Sequence, residues 1–200
     1  MFKTSRIVIV GMLMAVPMLA QGGEFEDGLK AYNSAGYDTA ISLWQGPAEA
    51  GDANCQFGMG QLYSNGFGVD MDDAQALHWY GLAATQGHAK AQYRLAIMHQ
   101  NGWGVPQSDE EAEKWYLMAA EQGHVESQVA LGRMFEMDYS EMYDPVAAYK
   151  WFSLAAMLGD PGAAEWKETI ARKLTADQVA TANAEVEIWA GDNESMFASH

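Results

Sequence analysis

The sequence is poor in cysteine, in positive charge and in long apolar runs, and each shortage removes a class of protein. Cys55 is the only cysteine of 200 residues, so no intramolecular disulfide can form. The fold must be held by packing alone, and Cys55, inside an apolar helical stretch, is expected as a small core residue. Only 11 Lys and Arg stand against 27 Asp and Glu, a net charge of −16. Phosphate backbones repel such a chain, which argues against nucleic acid; a basic or neutral protein or peptide partner, or simple solubility, suits it better. β-Branched runs are scarce beside Ala, Leu and Met, a composition that favours helix.

Catalytic motifs are missing too. There is no H-E-x-x-H, paired C-x-x-C, G-x-S-x-G or S-x-x-K. The run "GMGQLY" lacks the third glycine of a dinucleotide loop, and no Walker lysine is present. The chain is therefore expected not to be an enzyme, with no cofactor and no bound metal.

What is present begins with "MFKTSRIVIVGMLMAVPMLA". A basic start, an apolar run and a small-residue end describe a secretory signal peptide over residues 1–20, with cleavage after Ala20. The alternative is a retained anchor, but the apolar run over 7–19 is shorter than the roughly 20 residues that span a bilayer. A periplasmic or secreted location follows as an expectation. Loss of Lys3 and Arg6 would make the remainder more acidic still.

The strongest signal is a period of 36 residues. Gly51, Gly87, Gly123 and Gly159 keep this step, as do Ala40, Ala76, Ala112 and Ala148. So do Gln56, Gln92 and Gln128, and Trp79, Trp115 and Trp151, each Trp followed by an aromatic. Several independent series in one register define a tandem array. Within a unit, "AKAQYRLAIMHQ" has the apolar spacing of a helix, and "NGWGV" breaks it. "SDEEAEKWYLMAAEQG" supplies a second helix, capped by Ser108 or Asp109 and striped with Ala112, Trp115, Tyr116, Ala119 and Ala120. One such hairpin cannot cover its own apolar stripe, so successive hairpins must stack.

The pattern "A-x-A-Q-x-x-L-A-x-M…G-x-G-V…A-x-x-W-Y-x-x-A-A-x-Q-G" resembles the Sel-1-like repeat, a relative of the tetratricopeptide repeat. The resemblance covers residues 52–159. It implies an all-α, right-handed αα-solenoid of helical hairpins used chiefly as a protein-interaction scaffold, often in bacterial envelopes. Its hallmark residues are structural and carry no active site with them. Some cysteine-rich secreted members are assigned β-lactam binding or hydrolysis, which makes a hydrolase the alternative function; a single Cys55 departs from that subgroup.

The expected organisation is a degenerate tetratricopeptide-like cap hairpin over 24–50, repeats over 51–86, 87–122 and 123–158 in an array reaching 159, capping helices over 160–190, and a flexible tail over 191–200. Thr175 is expected to cap the last helix, with Val179, Ala182, Val186 and Trp189 closing the array. In the third unit Asp138 stands where Gly102 stood, so that turn must differ. The loop 137–143, with Met137, Tyr139, Met142 and Tyr143, is a second candidate surface.

First helices are expected to line the inner curve. Stepping by 36 gives Phe57, Tyr93 and Val129, then Gln61, Ile97 and Arg133, four residues further along the same faces. These six are the candidate partner-binding strip, suited to an extended peptide or a partner helix. The competing expectation is that Phe57, Tyr93 and Val129 pack between neighbouring helices. His88 and His124 could form a metal ladder, although two ligands make a weak site and a polar helix start explains them as well. His99 suits a packing position and His78 an outer face. Trp79, Trp115 and Trp151 suit the core, and Asp70, Asp72 and Asp73 an acidic helix start rather than a calcium loop.

Overall fold

The computed structural model describes residues 23–137 and 141–194. The expected leader, residues 138–140 of the third-unit loop and the last six residues lie outside the described residues. Among the described residues there are ten α-helices and no strand: α1 (Gly23–Asn33), α2 (Tyr37–Glu49), α3 (Ala53–Asn65), α4 (Asp73–Thr85), α5 (Ala89–Asn101), α6 (Asp109–Ala120), α7 (Val125–Glu136), α8 (Pro145–Met157), α9 (Pro161–Ala171) and α10 (Ala176–Asp192). Helices α1 and α2 form the hairpin expected over 24–50. Helix α10 runs to Asp192, two residues into the segment expected as a tail.

Caps set the helix starts, and the caps repeat. Asp52, His88, His124 and Asp160, spaced by the period, precede α3, α5, α7 and α9. Each accepts the backbone N–H three residues on, at Cys55, Ala91, Ser127 and Ala163. Asp72, Ser108 and Asp144 do the same for α4, α6 and α8. A side-chain acceptor here satisfies an N–H that has no partner within the helix. Thr175 caps α10 in a full capping box with Gln178. Gly66 and Gly102 end α3 and α5 at φ 68° and 73°, left-handed values that glycine takes without steric cost. In the third unit no glycine is available. Helix α7 stops one residue earlier in its repeat, and Met137 is extended (φ −76°).

From α1 to α9 each helix packs on its sequence neighbours, and α10 folds back past α9 onto α8. This nearest-neighbour contact is the signature of an αα-solenoid. Ala40, Ala76, Ala112 and Ala148 are fully buried on the second helices. One turn on, Trp44, Tyr80, Tyr116 and Phe152 fill the space between hairpins and are at most 2% exposed. Each buried ring contributes about 1.5–3 kcal/mol of transfer free energy. Trp115 bridges the clusters on either side of it and stays partly exposed, whereas Trp151 is buried. Cys55 shares its repeat position with Ala91, Ser127 and Ala163, all buried. The cysteine is a small packing residue, as its apolar surroundings imply.

A hydrogen-bond ladder ties the units together. Gln56, Gln92 and Gln128 donate from Nε2 to the carbonyls of Ala48, Ala84 and Ala120 across each inter-hairpin turn. Gln86 and Gln122 donate to the Oε1 of Gln56 and Gln92, both at 2.7 Å.

Candidate functional site

The first helices α1, α3 and α5, with the start of α7, border a groove of about 650 Å³. Helix α1 supplies Phe25, Leu29 and Tyr32, and Trp44 of α2 forms the wall behind them. Helix α3 supplies Asn54, Phe57 and Gln61; helix α5 supplies Lys90, Tyr93 and Arg94; His88, His124 and Glu126 complete the far side.

Phe57 and Tyr93 are each held between two rings. Phe57 lies on buried Tyr80 at 5.7 Å between centroids, and on the capping His88 at 4.7 Å. One repeat later, Tyr93 lies on Tyr116 at 5.8 Å and on His124 at 4.9 Å. Offset and tilted ring pairs of this kind add about 0.5–1.5 kcal/mol beyond buried area. The two aromatics thus pack between helices and, half-buried, still line the groove.

The histidines owe their state to the same geometry. The Nδ1 of His88 accepts from Ala91 N at 3.1 Å, and that of His124 from Ser127 N at 3.3 Å. An accepting Nδ1 requires the neutral ring with its proton on Nε2. Burial lowers both pKa values below the usual 6.5, with Lys90 pressing in the same direction and Glu126 opposing it at His124. The Nε2 of His124 faces Glu126 at 3.6 Å. Among the described residues no three His, Cys, Asp or Glu side chains gather into a metal-sized group.

Of the expected strip, Phe57, Gln61 and Tyr93 come together in the groove. Ile97 packs against the α5–α8 cluster, and Val129 against the cluster of α8–α10. The Arg133 guanidinium lies 4.2 Å over the Trp166 ring and pairs with Glu136 at 3.1 Å. Residues of α1 joined the groove unforeseen, because the cap hairpin lies outside the repeated text. Lys90 and Arg94 were within reach. They stand four residues apart, on one face of α5, and 36-residue stepping from Asn54 passes through Lys90 to Glu126. Cys55 is 1% exposed, and burial pushes its thiol up to about 12, so it offers no thiolate at neutral pH.

A family model described as the Sel1 repeat matches residues 53–88, 89–124 and 125–160. The chain belongs to the Sel1 repeat family. Two solved structures extend the likeness. One is a protective antigen present in uropathogenic Escherichia coli strains displaying an SLR fold, with TM-score 0.73 and 28% identity over 85% of this chain and 38% of that one. The other is a Sel1 repeat protein from Oxalobacter formigenes, with TM-score 0.65 and 32% identity over 69% of this chain and 57% of that one. This Sel1 repeat chain therefore spans less than two thirds of either. No curated protein matches it. Sel1 repeats are helical scaffolds that mediate protein–protein interaction, and the groove lies across the first two matched repeats and the cap before them.

Proposed function

We propose that this Sel1 repeat protein is an interaction scaffold of the bacterial envelope that holds a segment of a partner protein in its inner groove. The observation that carries this is the fixing of Phe57 and Tyr93. Each is braced by a buried ring and a histidine, and each lines the same groove. Binding to side chains already held in place loses little conformational entropy. The basic start, apolar run and small-residue end of residues 1–20 support export. The acidity of the surface as a whole favours a partner whose own surface is basic.

The test combines location and capture. Fusion to a reporter active only outside the cytoplasm should give signal, and removal of residues 1–20 should abolish it. A photocrosslinker placed at Gln61 should capture a defined partner in intact cells. Combined Phe57→Ala and Tyr93→Ala substitution, in a chain whose helical signal and cooperative melt are retained, should lose that capture. Undiminished capture by the folded double variant would remove the groove from the function.

A further inference from the structure

Lys90 and Arg94 stand one turn apart on α5, both in the groove and both exposed. The surrounding chain is strongly acidic, with 27 carboxylate side chains against 11 cations. Lys30, Lys114, Arg133 and Lys150 each have a carboxylate within ion-pair distance. Among the described residues Lys90 and Arg94 have none; the same holds for Lys167, Arg172 and Lys173, but these lie outside the groove. Arg94 lies 6.0 Å from the centroid of the Tyr93 ring, and its charge also acts on Tyr32, Tyr80 and His124. The acid nearest the groove's far end, Glu126, faces His124.

Charge varies along the groove in repeat register. Equivalent positions carry Asn54, Lys90 and Glu126: neutral, positive, negative. A negative group entering the groove therefore meets attraction at α5 and repulsion at α7. Toward α1 the wall is apolar and aromatic, built from Phe25, Leu29 and Tyr32. The net negative charge of the whole molecule does not forbid an anion here. At physiological salt the screening length is about 8 Å, so the two cations at contact outweigh distant carboxylates. An Arg fork and a Lys ammonium side by side suit a carboxylate.

We propose that the groove binds an extended partner segment carrying a Glu or Asp side chain next to apolar or aromatic residues. The carboxylate pairs with Lys90 and Arg94, and the apolar neighbours lie against Phe57, Tyr93 and the α1 wall. This rests on the groove being the binding surface, and it adds the chemistry of what binds.

Three labelled peptides of equal length with amidated ends test it: alternating Glu and Phe, alternating Gln and Phe, and alternating Lys and Phe. Polarisation is read with the full chain. The Glu peptide should bind at least about tenfold tighter than the Gln peptide, and the Lys peptide weakest. Lys90→Glu with Arg94→Glu, both at exposed positions, should reverse that order. Equal binding of the Glu and Gln peptides, no binding by any peptide, or an order unchanged by charge reversal would overturn the proposal. If the Glu and Gln peptides bind equally and Tyr93→Ala weakens both, the groove remains the site and only its charge preference fails. If neither Tyr93→Ala nor charge reversal alters any peptide, the groove itself fails.

Discussion

Gln56, Gln92 and Gln128 occupy one position in three successive units, yet only two of them are fully hydrogen-bonded. The acceptor Oε1 of Gln128 is buried without a partner. Its partner would come from residue 158, one period after Gln86 and Gln122, and Leu158 stands there. Leu158→Gln should complete the ladder and stabilise the fold by about 1 kcal/mol, the net value of one such bond. Gln86→Leu should do the reverse. It strands the Oε1 of Gln56 and costs about 1–3 kcal/mol. Urea midpoints measured on both variants check the pair, and a Leu158→Gln protein no more stable than the parent would refute the ladder as a source of stability. The capping histidines give a second expectation at this scale. Both have pKa values depressed in the folded state, so the unfolded chain takes up protons first as pH falls. Stability is full above about pH 6.5 and declines below it. The groups acting on them are Lys90, Asp52 and His124 around His88, and Glu126, Lys90 and Arg94 around His124. Asp fills the same cap position at Asp52 and Asp160. His88→Asp with His124→Asp should therefore show a flatter melting temperature between about pH 7 and pH 5, whatever its starting value. An equally steep fall would assign the acid sensitivity to other groups.

At the scale of helices, what packs under each buried ring differs from unit to unit. A Cβ on Gly60 would come within 2.5 Å of Tyr80, and one on Gly132 within 2.5 Å of Phe152. The equivalent residue under Tyr116 is Ala96, buried and accommodated. The second unit therefore accommodates under its ring a methyl group that its neighbours lack. Gly60→Ala gains about 1 kcal/mol of helix propensity, but it forces a fully buried ring to move. A net loss of about 1–2 kcal/mol is expected, read as a lower urea midpoint. A gain would mean that the Tyr80 ring has room to shift. This is where sequence and structure part company. Helix hairpins, their caps at Ser108 and Thr175, and the altered third turn were legible, because each depends on a few neighbouring residues repeated in register. The Gln86–Gln56 contact was not, since it spans 30 residues and joins two units. Nor were the α1 residues of the groove, since the turn between α1 and α2 is shorter than that between α3 and α4 and takes Phe25, Leu29 and Tyr32 out of the 36-residue register. The strip expected from stepping alone was half gathered. It followed position within a unit, whereas Val129 packs into the cluster of α8 to α10 and Arg133 lies over Trp166 of α9, which stands where earlier units carry Arg94 and Ala130.

For the whole molecule the question is how far a disturbance at one end travels. Contacts from α1 to α9 run mainly between adjacent helices, α1 also touches α3, and α10 closes the stack on α8. In such a stack stability is a sum of unit terms and neighbour interfaces, so loss at one end should be felt locally. The groove lies at the N-terminal end, over α1, α3 and α5. The C-terminal cap closes a separate cluster, in which Ile170 of α9 is 1% exposed among Ala148, Phe152 and Ala182. Ile170→Ala should cost about 2–5 kcal/mol at that site. Hydrogen exchange should then show protection falling in α8, α9 and α10, while α3 to α5 keep theirs, and peptide affinity in the groove should be unchanged. The same amides bear on the solenoid view directly. If protection falls by one amount from α1 to α10, the ten helices melt as one cooperative body, and the cap then sustains the groove from the opposite end of the molecule.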